Sequence, residues 1–425
     1  MLIRLIHLLI ALTLSHCSYH PPLCDRRPDS EDSSTPPRPE CFFSENYYEA
    51  RTKFRTLATQ AGLELKSFEV VPPSGYGDEY IMDVAVLRPT KGPNRGSVVH
   101  TSGVHGVEGY GGSGIQCYLL DQIRQAREEG RLKKIDKTLV FVHAVNPYGM
   151  AHYRRFNEEN VDLNRNALEP HEFDYLVNER DPNIAGYVDL DPIFNPRRMT
   201  VPTLVYKSAI TMARYGTAHI KRAVVNGQYW KPSGLFYGGQ KLQRSYEILT
   251  QVFADLKIFE GDATIIDVHT GLGPSGVDTL ITSDSDAVKF FSTLVKSRSP
   301  SDVPPIECVG ARCSGTVEGR DQPGFGADVV SGYDMVRGDA STFWTRRSTN
   351  GTRVSCVAQE FGTLSGVRGL PIMIMENMAF HHSPDDHSRW AEYNQDFFYV
   401  RTTAWKESLI DRGSRLFWEA VEAAT

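Results

Sequence analysis

The chain predicts an α/β fold, a mixed and largely parallel sheet with helices on both faces. Short and nearly continuous apolar runs are typical of strands that are buried on both sides. Helical stretches separate several of these runs, and such alternation forms one sheet covered on both faces. The length of 425 residues, with 40% hydrophobic residues and a net charge of −6, suits two domains or one large α/β domain.

The predicted elements follow from these patterns in chain order. The expected helices span residues 43–63, 111–130 and 242–259. The expected strands span residues 64–71, 78–87, 97–102, 138–145, 263–269 and 355–361. Residues 170–237 and 284–331 follow no clear pattern, and we expect them to be insertions at the loop edge of the sheet.

The N-terminal residues predict export from the cytoplasm. A positive start, Met1 to Arg4, precedes an apolar core that is too short to span a bilayer, so residues 1–20 are expected to be a signal peptide. An uncleaved anchor is the alternative. Residues 21–41 are rich in Pro, Ser, Asp and Arg, which predicts a disordered linker or pro-segment before a domain that spans 42–425.

The cysteines and the charge pattern narrow the class of protein further. Loss of Cys17 with the signal peptide would leave six of the seven cysteines, an even number that suits an oxidising compartment. The simplest local pairs, among the other connectivities that remain open, are Cys24 with Cys41 and Cys308 with Cys313. A sequon at Asn350 adds the expectation of a secreted glycoprotein.

Mixed charges without a basic patch argue against a nucleic-acid partner, and no stable membrane insertion is expected after signal removal.

A histidine and a glutamate three residues apart follow a predicted strand. His105 and Glu108 are separated by Gly106 and Val107, and a tight turn can direct both side chains at one metal ion. A catalytic zinc site takes three nitrogen or oxygen ligands from the protein and leaves a position for water. His269, at the end of another predicted strand, can complete this set. Taken alone, each of these residues is more often an ordinary polar or structural residue than a metal ligand.

Other reactive side chains also follow predicted strands, and the carboxyl ends of parallel strands meet at one edge of a sheet. Glu360 ends an apolar strand, where a carboxylate is costly unless it is bonded or functional. Residues 146–166 are rich in Arg and Asn, and the planar guanidinium of Arg suits a carboxylate or a developing oxyanion. Asp162 in this segment suits a role in orienting a ligating histidine.

The order of these residues along the chain resembles that of the zinc carboxypeptidase superfamily. The likeness is greatest to its branch of aspartoacylase and succinylglutamate desuccinylase. Within that neighbourhood the chain is similar to an uncharacterised hydrolase family with a domain of unknown function. The strings that carry the resemblance are 43–62, 102–109, 146–149 and 157–166. The likeness covers the chain from about residue 42 to the C-terminus, and it implies a zinc carboxypeptidase-like catalytic domain.

The resemblance also implies roles, residue by residue. His105, Glu108 and His269 would bind one zinc ion per chain, and Asp162 would orient His105. Glu360 would act as general base and acid. Arg155, or the adjacent Arg154 as the alternative, would polarise the carbonyl. Asn164 and Arg165 would hold a substrate carboxylate. Tyr333, a weak counterpart, would cover the substrate.

The expected reaction is hydrolysis of an amide bond next to a substrate carboxylate, in a peptide or a small molecule. A C-terminal peptidase and an N-acyl amino acid deacylase or esterase share these motifs, so both remain open. A secreted binding module on the same fold is an alternative from another class. A serine hydrolase is disfavoured because residues 111–114 lack the spacing of a nucleophile elbow, and their glycines suit close helix packing.

Overall fold

A computed structural model of the protein describes residues 38–72, 79–90, 92–132, 135–309, 313, 337–349, 351–364 and 368–423. Its centre is an eight-stranded sheet. The strands are β1 (Glu64–Val71), β2 (Tyr80–Leu87), β3 (Ser97–Ser102), β4 (Thr138–His143), β5 (Ala263–Ser275), β6 (Asp278–Thr282), β7 (Ile306–Cys308) and β8 (Val354–Gly362). Their order across the sheet is β1-β2-β4-β3-β5-β8-β6-β7.

The middle of the sheet is parallel and its two sides are not. Strands β4, β3, β5 and β8 run in one direction. On one side β2 is antiparallel to β4 and β1 is antiparallel to β2. On the other side β6 is antiparallel to β8, and β7 is parallel to β6. The predicted fold class, a mixed and largely parallel sheet, is confirmed.

Twelve α-helices lie within the described residues, and most of them flank the sheet. They are α1 (Tyr47–Gln60), α2 (Gly109–Glu128), α3 (Pro147–Ala151), α4 (Pro170–Asp174), α5 (Tyr187–Phe194), α6 (Val201–Asn226), α7 (Arg244–Asp255), α8 (Ser285–Val295), α9 (Ala340–Thr345), α10 (Gly369–His382), α11 (Pro384–Phe398) and α12 (Thr403–Glu422).

Both faces of the sheet are covered, because alternate side chains of a strand point to opposite faces. Val98 of β3 packs in a core with α1, α2 and α12, whereas its neighbour Val99 packs in a second core with α7 and α9. The central strands β3 and β4 are buried at every residue. Burial on both faces therefore explains why neither strand alternates between apolar and exposed polar residues.

Some elements differ from the prediction. Strand β5 continues to Ser275 instead of ending at His269, and β6 and β7 were not foreseen. The segment 170–237 holds α4, α5 and α6, together with a π-helical turn at Tyr175–Glu179. The predicted boundary at residue 42 falls within a 3-10 helix, Pro39–Phe42, whose Phe42 is buried.

The structure tests only part of the predicted signs of export. Cys308 and Cys313 form a disulfide, as predicted. Cys24, the predicted partner of Cys41, and Asn350 of the sequon lie outside the described residues, as do residues 1–37. Within the described part of the chain, no helix combines the length and the hydropathy that crossing a membrane requires.

Candidate metal centre

The parallel strands bring the candidate ligands to one edge of the sheet. His105 follows β3, and a 3-10 helix at Gly106–Glu108 turns the chain directly into α2. This turn needs a glycine, since a Cβ on Gly106 would lie 2.1 Å from the backbone of Gly149. His269 lies on β5, the strand next to β3, and pairs in register with Glu360 on β8.

His105, Glu108 and His269 converge on one point. The Nδ1 atoms of the two histidines are 3.1 Å apart. The carboxylate of Glu108 lies 2.9 Å from Nδ1 of His105 and 3.2 Å from Nδ1 of His269. One ligand atom from each residue lies within 4.8 Å of the others, and all three residues are buried. Such close packing of two imidazole nitrogens and a carboxylate is the arrangement expected around a metal ion.

A carboxylate holds the outer nitrogen of each histidine. Nε2 of His105 lies 3.2 Å from Asp162, and Nε2 of His269 lies 2.7 Å from Asp267. Asp267 is itself fixed by the hydroxyl of Thr101, which donates to it at 2.6 Å. When an outer N–H donates to a carboxylate, the inner Nδ1 keeps its lone pair for a metal ion. Both rings are therefore oriented for ligation.

Asp267 is a site residue that the sequence analysis missed. It stands two residues before His269 on β5, and side chains at i and i+2 of a strand point to the same face. That spacing was the available signal. Since Asp267 is almost fully buried, its contacts with His269 and Thr101 also explain how a carboxylate is accommodated inside an apolar strand.

Burial and the neighbouring charges set the protonation of the acidic groups. Burial favours the neutral form of Glu108, but His105 and His269 outweigh it and hold its pKa below the usual range. Burial also opposes the charge of Asp162, and Arg155 and His105 hold the pKa of that carboxyl well below its ordinary value. Both carboxyl groups are therefore ionised at neutral pH.

Glu360 differs from these two acids. Burial raises its pKa to about 7, the neighbouring carboxylate of Glu108 adds to that rise, and His269, His105 and Arg155 offset only part of it. Its Oε2 atom is buried and has no hydrogen-bond partner among the described residues. A carboxyl group poised near neutral pH can both accept and return a proton.

The two adjacent arginines lie on different sides of the chain. Arg155 donates to Asp162 at 3.0 Å and to Glu108 at 3.2 Å, and its side chain is 13% exposed. Arg154 is fully buried, where it donates to Glu376 at 2.7 Å and lies 3.4 Å from the centre of the Phe380 ring. The structure thus brings Arg155, and not Arg154, to the candidate ligands. Arg154 is held by the buried carboxylate of α10 instead.

Asn164 and Arg165 lie in a 3-10 turn directly after Asp162. The side-chain oxygen of Asn164 accepts a hydrogen bond from the backbone of Ala340 at 3.1 Å. Arg165 donates to the backbone oxygen of Asn164 at 2.7 Å, and it forms no ion pair within the described part of the chain. Tyr333, the predicted covering residue, lies outside the described residues.

The glycine-rich start of α2 is explained by packing. A Cβ on Gly112 would lie 2.4 Å from the Ser102 hydroxyl, and a Cβ on Gly114 would lie 2.4 Å from the Phe43 ring. Ser113 contacts His143 at 2.9 Å, but both residues are buried in the core. A substrate cannot reach this serine in the folded protein, which further disfavours a serine hydrolase.

The fold and the site together define an α/β protein with a candidate centre of two histidines and one glutamate. The chain belongs to the family described as "Protein of unknown function (DUF2817)", whose profile matches residues 43–298. Membership in a family with a domain of unknown function, expected from the sequence, is confirmed. No curated protein matches the chain.

Several solved structures are similar to this chain. Carboxypeptidase A from Helicoverpa armigera is 12% identical, with 82% of this chain and 74% of that chain covered and a TM-score of 0.43. Bovine thrombin-activatable fibrinolysis inhibitor is 9% identical, with coverage of 86% and 97% and a TM-score of 0.40. A protein from Shewanella frigidimarina, provisionally a succinylglutamate desuccinylase/aspartoacylase, is 15% identical, with coverage of 75% and 71% and a TM-score of 0.34. The family has no assigned activity, so a function must be inferred from the residues of the site.

Proposed function

We propose that the protein is a zinc-dependent hydrolase that cleaves an amide bond next to a carboxylate of its substrate. The substrate is a peptide with a free C-terminus or an N-acyl amino acid. The observation that carries the proposal is the convergence of His105, Glu108 and His269, with both outer imidazole nitrogens held by buried aspartates.

The donor set fits zinc. Two neutral imidazoles and one carboxylate are a known catalytic zinc combination, and they leave a coordination position for water. Asp162 and Asp267 supply the outer contacts that such histidines need for a fixed ring orientation. The hard-oxygen metals calcium and magnesium prefer sites built from several carboxylates and carbonyls. One zinc ion per chain therefore suits this site best.

Glu360 is proposed to move the proton during hydrolysis. A zinc ion held by the three ligands would polarise the scissile carbonyl and lower the pKa of a bound water. Glu360 takes the proton of the attacking water and returns it to the leaving amine, and its burial, which raises the pKa of the carboxyl group, strengthens it as a base. Its unpartnered Oε2 is free to make the required contact.

Three further residues are proposed to bind the substrate. Arg155 is the arginine beside the ligands, and its guanidinium can stabilise an oxyanion that develops on the carbonyl. Arg165 is nearly buried, and its Nε has no hydrogen-bond partner among the described residues. A substrate carboxylate would satisfy this buried charge, with Asn164 beside it, so uncharged substrates should bind poorly.

We also propose that the protein functions in an oxidising compartment, outside the cell or in the lumen of the secretory pathway. The disulfide between Cys308 and Cys313 supports this location, because structural disulfides are rare in reducing compartments. Mass spectrometry of the N-terminus of the secreted protein tests it. Recovery of the intact Met1 terminus in the cytosol alone would contradict it.

The decisive experiment compares three variants for zinc content and hydrolysis. We expect His105→Ala to lose both zinc and activity. We expect Glu360→Gln to keep zinc and lose about 10²- to 10⁴-fold in rate, the usual contribution of a general base. Glu392→Gln, at an exposed position on α11, is the matched control and should behave as wild type.

The substrates are C-terminal peptides, the same peptides as C-terminal amides, and N-acyl amino acids. Cleavage of the free peptides alone identifies a peptidase, and cleavage of the N-acyl amino acids alone identifies a deacylase. A wild type that binds zinc but cleaves none of them would favour the binding module. A Glu360→Gln variant with full activity would contradict the proposed role of Glu360.

A further inference from the structure

Helix α6 is attached to the rest of the protein along only one side. Residue Gly216, with φ 74° and ψ 169°, divides it into two helical segments. In the first segment, from Val201 to Tyr215, only Leu204 is buried. Leu204 packs in the same cluster as Val107, the residue between the ligands His105 and Glu108. The segment is thus fixed to the rest of the protein through Leu204, and its opposite side faces solvent.

The solvent side of this segment is apolar. At about 100° per residue, its exposed apolar residues fall within an arc of roughly 180° that lies opposite Leu204. This apolar face consists of Val201, Val205, Tyr206, Ile210 and Met212, which are 46% to 67% exposed. A surface helix normally turns its apolar side toward the core. A continuous exposed apolar face therefore indicates an interaction surface.

Positive charge accompanies the apolar face. The residues 195–226 contain six Arg or Lys and no Asp or Glu, although the whole chain has a net charge of −6. Lys207 and Arg214 are exposed and lie just beyond the Ile210 edge of the apolar face. Within the described part of the chain, neither of these two cations forms an ion pair. Their charges are available to a partner.

The charge pattern selects the kind of partner. A helix with an apolar face, a tyrosine and flanking cations suits the boundary between lipid headgroups and acyl chains, where cations meet phosphates and carboxylates. A second copy of the chain fits less well, because helix pairing would place Lys207 and Arg214 near their own counterparts with no acidic residue on the helix between them.

We propose that the first segment of α6 docks the protein on the surface of an anionic lipid bilayer. The apolar face enters the interface, and Lys207 and Arg214 contact the headgroups. The helix lies on the membrane and does not cross it, in agreement with its moderate hydropathy. This docking is independent of the metal centre and of the proposed reaction.

The test is co-sedimentation of the full chain with vesicles of phosphatidylcholine, alone or mixed with phosphatidylserine. We expect binding to the mixed vesicles that weakens as salt is added. The double variant Val205→Ser/Ile210→Ser should lose it. Lys207→Gln/Arg214→Gln should reduce the partition coefficient by roughly 30-fold, at about 1 kcal/mol per cation.

The control is Val303→Ser/Leu364→Ser, which removes exposed apolar side chains outside α6 and should bind as wild type does. All changed positions are exposed, so circular dichroism and thermal melting should stay unchanged. Failure to bind mixed vesicles, or binding that the α6 variants retain, overturns the proposal. A dimer in analytical ultracentrifugation that Val205→Ser/Ile210→Ser dissociates, without vesicle binding, would assign the face to self-association instead.

Discussion

Replacing Asp267 by Asn should weaken zinc binding while leaving the fold intact. Asp267 accepts hydrogen bonds from Thr101 at 2.6 Å and from Nε2 of His269 at 2.7 Å. An asparagine has nearly the same shape. Its oxygen can accept from His269 while its NH₂ donates to the Thr101 hydroxyl, which can rotate to accept. The substitution therefore removes the negative charge and little else.

The expected size of the effect follows from that loss. Removing the outer partner of a metal-ligating histidine reduces metal affinity by about 10- to 100-fold. That range corresponds to about 1.4 to 2.7 kcal/mol. We expect a value toward the upper end, because Asp267 is only 3% exposed and water cannot replace its charge.

The assay is competition between the protein and a chromophoric chelator for Zn²⁺. Asp83→Asn is the matched control, since Asp83 is equally buried on β2 and pairs with Arg51 and Arg55 instead. That variant should lose stability in a denaturant titration and keep its zinc affinity. Wild-type affinity in Asp267→Asn, or equal weakening in both variants, would refute the assignment of Asp267 as the orienting residue.

Three other predictions concern the surroundings of the site. Arg154→Met leaves the buried carboxylate of Glu376 without its main partner, so the free energy of unfolding in urea should fall by about 3–5 kcal/mol with the zinc content unchanged; an unchanged stability would show that the pair is not needed. Arg165→Gln should raise KM for substrates with a carboxylate more than it lowers kcat, because a ground-state contact is lost; steady-state kinetics with an equal effect on an amidated substrate would contradict this role. Burial lowers the pKa of His100 to about 4, below its value near 6.5 in the unfolded chain. Between these pH values the unfolded state binds the extra proton, so stability should fall as pH falls from 6.5 to 4, by at most about 1.4 kcal/mol per pH unit. In denaturant titrations across this range, the free energy of unfolding of His100→Gln should depend less steeply on pH than that of wild type. An equal slope in both proteins would exclude His100 as the cause.

The central part of the fold was predictable because its signals are local. Buried parallel strands have short runs rich in β-branched and apolar residues, such as Val98-Val99 in β3 and Leu139 to Val142 in β4, bounded by turn residues. Strands β6 and β7 have five and three residues, which is too short for a periodic pattern. Helix α6 was missed for another reason. Gly216 interrupts its pattern, and the apolar residues of its first segment spread over a wide arc and not along a narrow stripe.

The residues of the candidate site also fall into two groups, those that the local sequence places and those that only the fold brings together. His105 and Glu108 occupy one short turn, so their spacing in the sequence is enough to place them close together. The choice between Arg154 and Arg155 is not local, because it depends on Glu376, 222 residues further along the chain. Asp267 could be placed beside His269 by strand geometry, but its contact depends on the orientation of the imidazole ring, which only packing fixes.

The most direct test of the account is anomalous diffraction at the zinc edge from crystals of the purified protein. We expect one strong peak per chain, about 2.0–2.2 Å from Nδ1 of His105, Nδ1 of His269 and a carboxylate oxygen of Glu108. Asp162 and Asp267 should remain bound to the outer nitrogens of the two rings. Zinc-soaked crystals with no peak between these three residues, or with a peak on the outer nitrogens, would contradict it.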